Sequence, residues 1–185
     1  MKVALTVLGS DKPGIVCLVS SILAQNGCNI EAISQTVLYD EFAGIFLISI
    51  PSGVTLDDLE IALKKELSRE DLGFYLKPVK KKKADEDGCI TATEPFVVIS
   101  VGKDRVGLIA ALSCVMKEFG INITNLRFVS TIPSFPNRTV TIYEVDIPNS
   151  VDLALFTHKL QQRAASLELE VSVQHKKIFE DICRI

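Results

Sequence analysis

Asp11-Lys12-Pro13-Gly14 and Asp104-Arg105-Val106-Gly107 each place an acid, a base and a glycine within four residues. Each run follows an apolar stretch that reads as a strand and precedes apolar residues at helical spacing. Such a turn leaves backbone N–H groups unpaired at the positive end of a helix, which suits a carboxylate or a phosphate. Gly14 and Gly107 leave room for a close backbone approach, or they serve turn geometry alone. Asp11 and Asp104 can cap the following helix or meet a ligand's ammonium group. Farther along, Asn29-Ile30 and Asn122-Ile123 follow the helix-ending glycines Gly27 and Gly120. An Asn there offers donor and acceptor together. It serves the local backbone, or a ligand if a second module packs against the sheet edge.

The acid, both glycines and the Asn-Ile pair recur 93 positions apart, as do Ser20 and Ser113, while Arg105 answers Lys12 and Val106 answers Pro13. The register then shifts by four: Ile50, Pro51 and Leu56 are answered by Ile147, Pro148 and Leu153, 97 positions on. A repeat of this kind constrains the whole architecture. The 185 residues are therefore expected to form two modules of roughly 80 residues, each small enough to lean on a neighbour. The expected organisation is a first module at 1–79, a linker at 80–94, a second module at 95–175 and a tail at 176–185.

The elements that must position the turns follow from periodicity. In the first copy Val3 to Leu8 reads as a strand, and Ile15, Val16, Val19, Ile22 and Leu23 mark a helix ended by Gly27. Asn29 to Tyr39 and Phe42 to Pro51 form a hairpin around Asp40-Glu41. Thr55 is expected to cap a helix with Leu56, Leu59, Leu63 and Leu67 inward, and Leu72 to Val79 closes the module. In the second copy the strands are expected at Phe96 to Gly102, Asn122 to Ile132, Thr139 to Ile147 and from Leu169. Its helices carry Leu108, Ile109, Leu112, Val115, Met116 and Phe119, then Leu153, Phe156 and Leu160 after a cap at Ser150. Cys17 and Cys114 fall in or beside these stripes and are expected in the core. A short tail helix is expected over Ile178 to Ile185. The order β-α-β-β-α-β predicts an α+β, ferredoxin-like fold twice over: a four-stranded antiparallel sheet with two helices on one face.

Composition narrows the function. The net charge of −3 gives no pull toward nucleic acid or an anionic membrane. The run Lys80 to Lys83 is followed by Asp85-Glu86-Asp87, so its field is largely cancelled and it reads as a solvated linker. No apolar run approaches the ~20 residues that span a bilayer, and no signal-peptide layout is present, so a cytoplasmic location is expected. Five cysteines without paired spacing argue against a disulfide framework or a metal site. The two histidines, His158 and His175, have no counterparts in the first copy, and nucleophile, zinc and nucleotide motifs are absent. No catalysis and no cofactor are expected.

The doubled Asp-(Lys/Arg)-x-Gly turn, followed by Gly27-Cys28-Asn29-Ile30 and by Gly120-Ile121-Asn122-Ile123, resembles the ACT domain over almost the whole chain. ACT modules are regulatory domains that bind amino acids, commonly between two modules. A tandem pair with no catalytic domain is similar to the glycine cleavage system transcriptional repressor family. The resemblance implies a small-amino-acid sensor, with glycine as the expected effector. It would act through a protein partner such as a transcription factor in the control of amino-acid metabolism. The implied ligand contacts are Asp11, Lys12, Pro13, Gly14, Asn29 and Ile30, with Asp104, Arg105, Val106, Gly107, Asn122 and Ile123 in the second copy. Lys12 stands for the family's usual Arg, and Val106 for its usual Pro, which leaves the equivalence of the two sites open.

Two other readings accompany this one. Exposed sheet edges favour association of copies, so a ligand-free interaction or dimerisation module is the first. RNA binding is the second, because RRM domains share this plan and stack bases on sheet aromatics. Phe42 and Phe46 lie on one strand and the second copy has only Tyr143 nearby, without the RRM signature.

Overall fold

Alternation along the strands decides which face each sheet buries. In the computed structural model, residues 1–79, 92–129 and 138–177 are described. The chain divides into two compact units, Met1–Ala84 and Asp85–Ile185. The first unit runs β1 (Lys2–Ser10), α1 (Ile15–Gln25), β2 (Asn29–Leu38), β3 (Glu41–Ser49), α2 (Leu56–Leu67) and β4 (Gly73–Pro78). Its antiparallel sheet has the order β2-β3-β1-β4. Val3, Leu5 and Val7 of β1 and Phe42, Phe46 and Ile48 of β3 point the same way. They meet Val19, Ile22 and Leu23 of α1 and Leu59, Leu63 and Leu67 of α2 in one core. Two central strands thus supply one apolar face, and two amphipathic helices cover it.

The second unit repeats the plan with β5 (Thr93–Gly102), α3 (Leu108–Glu118), β6 (Asn122–Val129), β7 (Thr139–Pro148), α4 (Leu153–Ala165) and β8 (Leu169–His175). Its sheet order is β6-β7-β5-β8. Val98, Tyr143 and Val145 meet Leu112, Met116, Phe156 and Leu160 in a separate core. The expected ferredoxin-like architecture is therefore present twice.

Several details differ from the sequence reading. β5 starts at Thr93 rather than Phe96, because Thr93, Glu94 and Pro95 continue the ladder with β7. Pairing with β8 begins only at Phe96, so Pro95 sits where one side of β5 is free and no N–H is needed. The cap of α4 is Asp152, not Ser150: its Oδ1 accepts from the N–H groups of Ala154 and Leu155. Asp152 stands 97 positions after Thr55, so the repeat places the two caps alike. Leu153 is half-exposed rather than inward. Cys17 and Cys114 are exposed, not core, because each falls on the solvent side of its helix. The run at 80–88, Cys89, Cys183, the loop bearing Pro133 and Pro136, and the tail expected as a helix from 178 lie outside the described residues.

α2 begins with a complete capping box. Thr55 Oγ1 accepts from the Asp58 N–H at 3.1 Å, and Asp58 Oδ2 accepts from the Thr55 N–H at 3.0 Å. Asp57 and Asp58 also oppose the positive helix end. Thr55→Ala is expected to lower the stability of this unit by about 1 kcal/mol, read as a shifted urea midpoint with unchanged slope.

Candidate functional site

The helices α1 to α4 begin in two ways. α2 and α4 are capped by Thr55 and Asp152. α1 and α3 begin at Gly14 and Gly107, make no side-chain cap bond, and carry no acid in their first turn. Their first backbone N–H groups are thus left for water or a ligand, at the positive end of the helix dipole. The capping role open to Asp11 and Asp104 is not taken. Asp11 instead donates its backbone N–H to Asp40 O at 2.7 Å, which ties the turn to the β2–β3 hairpin.

The glycines are dictated by backbone conformation. Gly14 and Gly107 have φ of +102° and +92°, a region that favours glycine. A Cβ on either would meet nothing within 4 Å, so the protein itself leaves open space there.

A hollow of about 170 Å³ adjoins the first turn, lined by Lys12, Pro13, Gly14, Ile15, Leu18, Glu70 and Leu72. Another, of about 140 Å³, adjoins the second, lined by Asp104, Arg105, Gly107, Leu108, Ile109, Ala110 and Phe128. Both are well below the ~300–1,000 Å³ usual for drug-sized ligands, and so suit a molecule of few atoms. Roomier grooves occur beside β4, at about 360 Å³, and across α3, at about 410 Å³. Both carry charged side chains and Gly107 also lines the groove across α3, so what sets the turn hollows apart is that each holds the cation of its repeated turn, Lys12 or Arg105.

The cation of each turn is held by an acid at the corner that leads into the last strand. Lys12 Nζ donates to Glu70 Oε2 at 2.7 Å and to Glu70 O at 2.9 Å. Arg105 Nη2 pairs with Glu168, and this hydrogen-bonded guanidinium holds the Glu168 carboxyl below the usual carboxylate range. These acids escaped the sequence reading because they are not equivalent: Glu70 and Glu168 are 98 positions apart, against an offset of 97 for that corner. The signal that could have found the corner is the pair Gly9 and Gly102. A Cβ at Gly9 would lie 2.9 Å from Asp71 O, and one at Gly102 2.9 Å from Glu168 O. The close approach of strand and corner requires glycine in both copies.

The remaining site residues divide. Pro13 borders the first hollow, whereas Val106 is fully exposed and does not line the second. Ile30 and Ile123 pack against their cores. Asn29 pairs across β3 with Ser49, which pairs with Lys2 at the start of β1, while the turn follows Ser10 at its end. Eight strand positions separate them, about 26 Å. Asn122, opposite Asp146 and so beside Pro95, is about 23 Å from its own turn by the same measure. Each module thus gathers the turn residues and leaves its Asn at the far end of the sheet. Neither Asn side chain has a hydrogen-bond partner among the described residues.

Other chemistry finds little here. Among the described residues no group of three or more His, Cys, Asp or Glu could hold a metal ion. No described helix is long and apolar enough to cross a membrane. His158 is exposed on α4, while His175 packs edge-on against Phe96 with ring centroids 5.1 Å apart. Phe42, Phe46 and Tyr143 are buried beneath the helices and so are not presented for RNA stacking.

Comparison with known proteins agrees with this fold. The ACT domain profile matches residues 2–76. A UPF0237 protein of Methanopyrus kandleri is 43% identical over 75 residues, covering 39% of this chain and 79% of that protein. A UPF0237 protein of Methanococcus maripaludis is 48% identical over 65 residues, covering 34% of this chain and 71% of that protein. In solved structures the tandem fold is similar to that of a protein from Galdieria sulphuraria, at 19% identity and a TM-score of 0.75, covering 94% of this chain and 97% of that one. It is also similar to a protein provisionally assigned as a glycine cleavage system transcriptional repressor, at 20% identity and a TM-score of 0.70, covering 94% and 95%. With the uncapped glycine turn in both copies, the tandem βαββαβ fold and these relatives, the chain belongs to the ACT-domain family.

Proposed function

We propose that this chain is a non-enzymatic regulatory protein that binds a small amino acid, glycine or a close analogue, at the glycine turns of its ACT modules. The observation that carries the reading is the contrast among helix starts: α2 and α4 are capped, while α1 and α3 open uncapped onto small hollows that each contain a cation. Free amides, a helix dipole and a basic side chain converge where a ligand carboxylate would sit. Asn29 and Asn122, at the far ends of their sheets, would serve a ligand held at the turn of a second copy. Binding would favour one arrangement of modules and so alter the surface shown to a protein partner. The fold shared with the protein assigned to glycine cleavage control suggests that this partner acts in transcriptional control of amino-acid metabolism.

A thermal-shift series over the twenty amino acids tests the reading. A ligand at 100 times its Kd should stabilise the protein by about 2.7 kcal/mol, and small amino acids are expected to give the largest shifts. No shift from any of them at millimolar concentration would instead favour a ligand-free interaction module. That second reading draws on one observation. The outer face of α1 carries no charged residue, and the neighbouring edge strand β2 exposes Ile33, Val37 and Leu38.

A further inference from the structure

Resting on the proposed ligand class, we infer that Glu70 is the ammonium-binding residue of the first module's turn site, so that the Lys12–Glu70 pair recognises a zwitterion rather than an anion. Lys12 and Glu70 line the same hollow, together with Gly14 and Ile15 at the uncapped start of α1. An ammonium group carries three donors. Lys12 spends one on Glu70 Oε2 and one on Glu70 O, which leaves the third for a ligand. Glu70 uses only Oε2 in that pair, and Oε1 has no hydrogen-bond partner among the described residues. The pair therefore presents one unused donor and one unused acceptor side by side, beside helix amides that accept no proton and donate to anions.

A small amino acid carries both complementary charges. Its carboxylate meets the spare Lys12 N–H and the amides at Gly14 and Ile15, and its ammonium meets Glu70 Oε1. A bare carboxylate of the same size gains the first contacts but feels Glu70 as a like charge. Asp11 does not line this hollow, so the ammonium role open to it passes to Glu70. In the second module the acid on the hollow is Asp104, and Glu168 does not line it. The two copies thus reach one charge pattern with acids from different elements.

The experiment uses the full chain and follows the Gly14 and Ile15 amides by proton–nitrogen NMR, which reports the first module alone. Glycine, alanine and serine are titrated, with acetate as the bare carboxylate, into the wild type and Glu70→Gln. Glu70 is exposed, and a thermal melt of the variant checks its fold. Glycine is expected to bind the variant roughly tenfold more weakly, the scale of one lost hydrogen bond to a charged group. Acetate is expected to bind it no more weakly than the wild type, so that discrimination between the two collapses. If glycine binds both proteins equally, or if glycine and acetate weaken by the same factor, Glu70 only positions Lys12 and the inference is overturned. If the wild-type amides respond to none of the three amino acids, the ligand class itself fails for this module, and the inference fails with it.

Discussion

Gly102→Ala is expected to destabilise the second unit by about 1–3 kcal/mol, the range for overpacking a filled site. At a mid-range value, Tm would fall by roughly 10 °C for a module of this size. An added Cβ would lie 2.5 Å from Leu169 Cδ2, 2.9 Å from Glu168 O and 3.2 Å from Leu169 Cα. The leucine methyl can rotate away, but the Cα belongs to Leu169, which faces Gly102 in the sheet, and the carbonyl to the corner residue just before it. Relief requires β5 and the β8 corner to separate. Glu168, at φ 58°, holds that corner and also grips Arg105. The substitution should therefore loosen the cation as well as lower stability. Gly9→Ala, with its Cβ 2.8 Å from Leu72 Cδ2 and 2.9 Å from Asp71 O, should behave alike in the first unit. Denaturant titration with amide exchange resolved by module would check both. An Ala variant as stable as the wild type would show that the corner yields freely.

Tyr143→Phe is expected to stabilise the second unit, an unusual direction for a core substitution. Tyr143 is fully buried, and its hydroxyl has no hydrogen-bond partner among the described residues. A buried unpaired polar group costs about 1–3 kcal/mol in lost hydration. The position 97 residues earlier is Phe46, also fully buried, so the fold accepts the smaller ring there. A gain of about 1 kcal/mol at neutral pH is expected.

The pH dependence should separate the two proteins further. Burial pushes the Tyr143 phenol up to about 12 from its ordinary 10. Its neutral form is favoured in the folded state, so the native protein keeps the proton after the unfolded chain has lost it. Stability from this source is full below pH 10 and is lost as pH rises toward 12. Two pH units correspond to about 3 kcal/mol. The wild type should lose that much relative to Tyr143→Phe across this window, as read from urea midpoints at pH 9 to 12. Equal midpoints throughout would mean that a buried water satisfies the hydroxyl.

Much of this was legible in the chain because its signals are local or periodic. The spacing of Val19, Ile22 and Leu23 marks a helix face wherever the helix lies, and alternation at Val3, Leu5 and Val7 marks a buried strand face. Glycine at 14 and 107 signals a positive φ through backbone sterics alone. The repeat then supplied the topology, since two copies of one element order leave few arrangements that bury both helices on one sheet. Where the reading failed, the deciding contact was with something distant or simply opposite. Cys17 and Cys114 sit beside apolar residues in sequence, yet the helix turns them to solvent. The cap of α4 moved to Asp152 because the helix start, not the nearest serine, chooses its cap.

The sequence by itself determined two ACT modules, their element order and the glycine turns, because these rest on backbone preference and on period. Only the tertiary structure decided which residues share a site. It left α1 and α3 uncapped and brought Glu70 to Lys12 across 58 positions of chain. Those outcomes depend on strand register and on the corner before the last strand. Long-range packing sets both, and no local pattern encodes them.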